Sequence, residues 1–65
     1  MVALGGVAVL RVTYTSMLCR IDGREHWIPL DKVREGTTVR QVGDTGQLVV
    51  PRAFAVEWGL APYDN

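Results

Sequence analysis

The chain has one cysteine, Cys19, and one histidine, His26. A single thiol excludes an internal disulfide. A structural metal site takes about four Cys, His, Asp or Glu ligands, and these two residues supply two, so no metal staple is expected. No long apolar run is present either. The opening MVALGGVAVL is broken at Arg11, too short to span a bilayer and without the basic start and small-residue cleavage site of a secretion signal. A free thiol suits a reducing compartment, so the expectation is a cytoplasmic protein with no membrane association. Charge of one sign is missing too: seven Lys and Arg balance seven Asp and Glu, for a formal net charge of +0. Domains that hold nucleic acid by bulk charge are clearly basic, which disfavours that mode and leaves a local arginine patch open.

What is there is a single small domain, residues 1–65, with 48% hydrophobic residues. A chain of this size buries only about 60% of its unfolded surface. Without disulfide or metal, an economical core or self-association must support it, so a homo-oligomer is among the expectations.

The pattern is mainly β. Val7 to Val12 and Met17 to Ile21 read as strands, and Thr13 to Thr15 between them can continue, bend or turn. Asp22-Gly23 is a strong hairpin signal, because both central residues of a type I′ turn need positive φ. Arg24 to Ile28 is then the return strand. The two-residue turn sets the register: Arg20 faces Glu25, Cys19 faces His26, Leu18 faces Trp27, and Met17 faces Ile28. One face carries Met17, Cys19, Ile21, His26 and Ile28 and should point to the core; Leu18, Arg20, Glu25 and Trp27 form the other. Pro29 stops the strand. Asp31 is placed to cap a helical turn through Val33, closed by Gly36. Thr37 to Val42 reads as a fourth strand and Gln47 to Val50 as a fifth. Pro51 suits a first helical position, Phe54, Ala55 and Trp58 share a helix face, and Gly59 with Leu60 is expected to close the helix before Pro62. The expected fold is a small curled antiparallel sheet or barrel of the Src-homology-3-like kind, with about five strands and one short C-terminal helix near 51–58.

Two family resemblances follow. CRIDGREHWIPLDKV and GQLVVPRAFAVEWGL resemble a pattern DGxxxWIPxxxI…GxLxVPxxxAxxxGL found in small uncharacterised phage and prophage proteins. Gly23, Trp27, Ile28, Pro29, Pro51, Ala55, Gly59 and Leu60 carry it across residues 16–60. His26 departs from the aliphatic residue usual in that family, and the family brings no established activity. VRQVGDTGQLVVPRAFAVEWGLAPYDN, residues 39–65, is similar to AbrB-type swapped-hairpin DNA-binding regulators and antitoxins. That resemblance implies an interlocked dimer gripping DNA with arginines near these strands. Arg40 and Arg52 match its basic positions, and Gln47 stands where a basic residue is common.

Chemistry is sparse. Cys19 opposite His26 is the one nucleophile-base pairing, but the face around it holds Met17, Ile21 and Ile28 and no carboxylate to orient the imidazole. A core pair is the expectation, and no enzyme. Gly43-Asp44-Thr45-Gly46 lacks the Lys-Ser/Thr of a phosphate loop and reads as a turn. Trp27, Phe54 and Trp58 are expected to pack together where helix meets sheet. The expected role is therefore a non-catalytic binding module without cofactor, acting on nucleic acid or on a nucleic-acid-handling protein, with Arg20, Arg24, Arg40, Gln47 and Arg52 as candidate contacts. The alternatives are a dimeric AbrB-like transcriptional regulator or antitoxin, and a protein–protein interaction module or inhibitor.

Overall fold

The computed structural model describes residues 1–60; the stop expected at Pro62 lies outside the described residues. The elements are β1 (Val2–Val12), β2 (Ser16–Ile21), β3 (Arg24–Pro29), a 3-10 turn (Leu30–Lys32), β4 (Thr45–Val50) and α1 (Arg52–Glu57). The four strands form one antiparallel sheet in the order β3-β2-β1-β4. β3 and β4 are its two ends, so the sheet is open rather than closed into a barrel.

The 11-residue β1 belongs to two ribbons at once. Its first part pairs with β4, from Val2 opposite Val50 to Ala8 opposite Thr45, and its last part pairs with β2, from Ala8 opposite Arg20 to Val12 opposite Met17. The ladder is irregular between Leu4 and Val7 and again between Val9 and Arg11. Such bulges bend a strand and strengthen its twist, and they let one strand serve both ribbons. β1 then turns at Thr13, whose Oγ1 accepts from the backbone N–H groups of Thr15 and Ser16, so the Thr13–Thr15 stretch is a turn.

The β2–β3 hairpin has the expected register, from Met17 opposite Ile28 to Ile21 opposite Arg24. Asp22 at φ 54 and Gly23 at φ 82 make its turn. Met17, Cys19, Ile21 and Ile28 are buried, joined by Leu4, Val7 and Val9 of β1, Leu48 and Val50 of β4, and Phe54 and Ala55 of α1. The helix ends as expected: the N–H of Leu60 donates to Ala55 O and that of Gly59 to Val56 O, the Schellman pattern. Two boundaries differ from the sequence reading. Pro29, not Asp31, precedes the 3-10 turn, and Pro51 is the extended residue before the helix, so α1 starts at Arg52.

The larger difference is the expected fourth strand. Residues 37–42 form no strand, so the described residues hold four strands rather than about five. The segment still lies along β4, but threonine hydroxyls replace part of the ladder. Thr38 N–H donates to Gln47 O, while the N–H groups of Gln47 and Val49 donate to Thr38 Oγ1 and Thr37 Oγ1. Side-chain oxygens of this kind compete with backbone pairing. Val39 keeps the inward phase and is fully buried.

Candidate nucleic-acid interface

The sheet has a core face and an outer face, and the bulge in β1 decides what the outer face presents. Val7 and Val9 point inward, so plain alternation would turn Arg11 inward too. The extra residue between Val9 and Arg11 reverses the phase and sets Arg11 opposite Leu18. Leu18 in turn faces Trp27. Arg11, Leu18 and Trp27 therefore form one row across β1, β2 and β3, over about 10 Å at two strand spacings of ~4.8 Å. The next row is Ala8, Arg20 and Glu25.

Trp27 is 44% exposed and ends its row at the sheet edge, with the half-buried Leu18 beside it and the exposed Arg11 and Arg20 both on its β1–β2 side. Arg20 Nη2 is 3.5 Å from Glu25 Oε2, the one ion pair among the described residues. Both side chains are more than half exposed, and such a pair contributes under about 1 kcal/mol. Its guanidinium keeps donors for another acceptor.

The five contacts expected from the sequence do not converge. Arg20 is on the outer face of β2. Arg24 lies across the turn on the other face, where it lines a cleft of about 760 Å³ with Leu4, Gly5, Gly6, Ile21 and His26. Its walls are the first part of β1, the β2–β3 turn and the residues that follow α1. Arg40 sits in the loop before β4, its N–H bound by Asp44 Oδ2 at 2.8 Å. Gln47 on β4 donates through Nε2 to Gly36 O, and Arg52 is exposed at the start of α1. Arg11 was not among the expected contacts. Its trace in the sequence is an arginine at a position that alternation assigns to the core, which only a bulge makes tolerable.

The expected aromatic cluster holds in part. Phe54 and Trp58 pack with ring centroids 4.8 Å apart and planes at 31°, on the core side. Trp27 is on the opposite side of the sheet and does not join them. Cys19 is fully buried opposite the half-buried His26. Burial pushes its thiol pKa up, away from the thiolate that nucleophilic chemistry needs. Among the described residues no three His, Cys, Asp or Glu side chains are grouped to hold a metal. No helix of the described residues is long and apolar enough to cross a membrane. Comparison with protein-family models, curated proteins and solved structures finds no match to the chain.

Proposed function

We propose that the protein is a small, non-catalytic, cytoplasmic binding module whose outer sheet face receives single-stranded nucleic acid. The observation that carries this reading is Trp27, exposed in the row Arg11–Leu18–Trp27 with Arg20 in the row beside it. Aromatic side chains flanked by cations are how sequence-tolerant proteins hold unpaired strands. A base stacks on the ring, and Arg11 and Arg20, both on the β1–β2 side of Trp27, meet the strand's phosphates there. A duplex keeps its base faces stacked and offers no such partner to an indole. The zero net charge agrees with a stacking-led grip rather than a charge-led one.

The test uses Trp58→Phe, which leaves Trp27 as the sole indole reporter. Titration with a short single-stranded oligonucleotide at low salt is expected to quench its fluorescence, and a duplex of the same length to leave it unchanged. Two arginine contacts predict a shallow salt dependence, a slope of log K on log[salt] near −1.4 at about −0.7 per phosphate. Trp27→Ala is expected to weaken binding by about 1–3 kcal/mol, the stacking of one base. No binding at low salt would end this reading and leave a protein partner as the occupant of the same face.

A further inference from the structure

The two edges of the sheet are treated differently. Along β4, the 34–38 segment takes up the free backbone groups: Arg34 N–H donates to Val49 O, Thr38 N–H to Gln47 O, and the hydroxyls of Thr37 and Thr38 accept from Val49 and Gln47. β3 has no such cover among the described residues. The phase of its hydrogen bonds follows from the turn. In a two-residue hairpin the residues flanking the turn, Ile21 and Arg24, bond each other, and alternation then bonds Cys19 with His26 and Met17 with Ile28. The bond from Leu30 N–H to Thr15 O, 2.8 Å, continues the same series. The N–H and C=O groups of Glu25 and Trp27 therefore point away from β2, into the open.

Proteins usually blunt such an edge with lysine, a bulge, an inward charge or an added segment. β3 has no lysine, its ladder with β2 is regular over all six residues, and its one charge on the core face, Arg24, is confined to the residue beside the turn. Its one proline is at the end, Pro29. The free groups are also self-complementary. A two-fold axis at His26 sets Glu25 opposite the partner's Trp27 and Trp27 opposite the partner's Glu25. Each of these pairs exchanges both of its hydrogen bonds, and Pro29 is not called on as a donor. Centring the axis on Glu25 would face two carboxylates; centring it on Trp27 would pair Glu25 with the donorless Pro29. That register also makes Trp27 of one copy and Glu25 of the other an opposed pair on the outer face, with no like charges facing.

We propose that β3 is the seam of a homodimer, two copies pairing antiparallel across a two-fold axis at His26 to make one eight-stranded sheet. The axis is perpendicular to the sheet, so both outer faces point the same way. The inference stands apart from the nucleic-acid reading, since its test contains no nucleic acid.

Sedimentation over a dilution series from millimolar to micromolar is expected to show a dimer that dissociates. Glu25→Pro removes an N–H that β2 does not use, so the circular dichroism should be retained and the dimer lost. Glu25→Gln keeps that N–H and should keep the dimer. A wild-type monomer throughout the series, or a Glu25→Pro variant that dimerises as well as wild type, would overturn the proposal. Should Glu25→Pro fail to fold, a trap decides. His26→Cys in a Cys19→Ala background sets two thiols on opposed, non-hydrogen-bonded positions about 4.5 Å apart at Cα, within disulfide reach. Mild oxidation should link them much faster than Glu57→Cys in the same background. Equal rates would overturn the seam.

Discussion

Gly46 and Gly23 are both glycines by necessity, for different reasons. A Cβ on Gly46 would come to 2.5 Å from Thr38 Oγ1 and 3.5 Å from Val39 Cγ1. Thr38 could turn its hydroxyl away only by giving up the bond from Gln47 N–H. Gly46→Ala is thus expected to destabilise by about 1–3 kcal/mol, the usual range for overpacking, and to loosen residues 36–40 from β4, as urea titration and amide exchange at Thr38 would show. A Cβ on Gly23 would meet nothing within 4 Å. Its constraint is φ +82 alone, so Gly23→Asn should be far milder than Gly23→Val. Asp44 shows a third kind of dependence. Its carboxylate accepts from the N–H groups of Arg40 and Gln41, and those bonds hold its pKa below the ordinary 3.8. A carboxylate stabilised in the folded state contributes above its unfolded pKa and loses that contribution as the pH falls through the folded one. Exchange of the Arg40 and Gln41 amides, corrected for intrinsic rates, is expected to lose protection on acidification below 3.8. Asp44→Ala should remove both the protection and its pH dependence.

Residues 37–42 mark the boundary of what the sequence makes legible. Alternation in Thr37 to Val42 suggests a strand, and the inward phase is right, since Thr37 and Val39 are buried. Alternation does not reveal whether a backbone N–H will meet a carbonyl or a neighbouring hydroxyl, and here two threonines supply the acceptors. Thr37→Val keeps shape and β preference but deletes the acceptor for the buried Val49 N–H, 2.9 Å away. An orphaned buried donor costs about 1–3 kcal/mol, so this near-isosteric change should lower the urea midpoint clearly. An unchanged midpoint would mean the hydroxyl bond contributes nothing net. The hairpin, by contrast, was legible residue by residue, because a two-residue turn with both φ positive leaves one register. Arg11 was not, because the bulge that exposes it depends on β1 serving two partner strands, a tertiary demand with no local signature beyond the misplaced charge. The scatter of Arg24, Arg40, Gln47 and Arg52 has the same origin: sequence gives residue type, while the fold decides which face each one reaches.

Across the whole molecule, the core is one cluster shared by all four strands and the helix, with no disulfide to restrain the unfolded chain. At roughly 0.05–0.15 kcal/mol per residue, 65 residues carry about 3–10 kcal/mol of stability. The helix is only six residues long, too short to persist alone, so it stands on what Phe54, Ala55 and Leu60 bury. Phe54 is 6% exposed and holds Trp58 by its ring. Removing a buried Phe to Ala costs about 3–5 kcal/mol, a large share of the total. Phe54→Ala is therefore expected to undo the fold cooperatively, with β-sheet and helix signals in circular dichroism lost together at one greatly lowered temperature. Phe54→Leu should retain both. If Phe54→Ala instead lost only the helix signal while the β2–β3 hairpin amides stayed protected, the helix would be an appendage on a sheet that folds without it. The burial of Phe54 and Ala55 in the same cluster as Met17, Ile28 and Leu48 argues for a single cooperative unit.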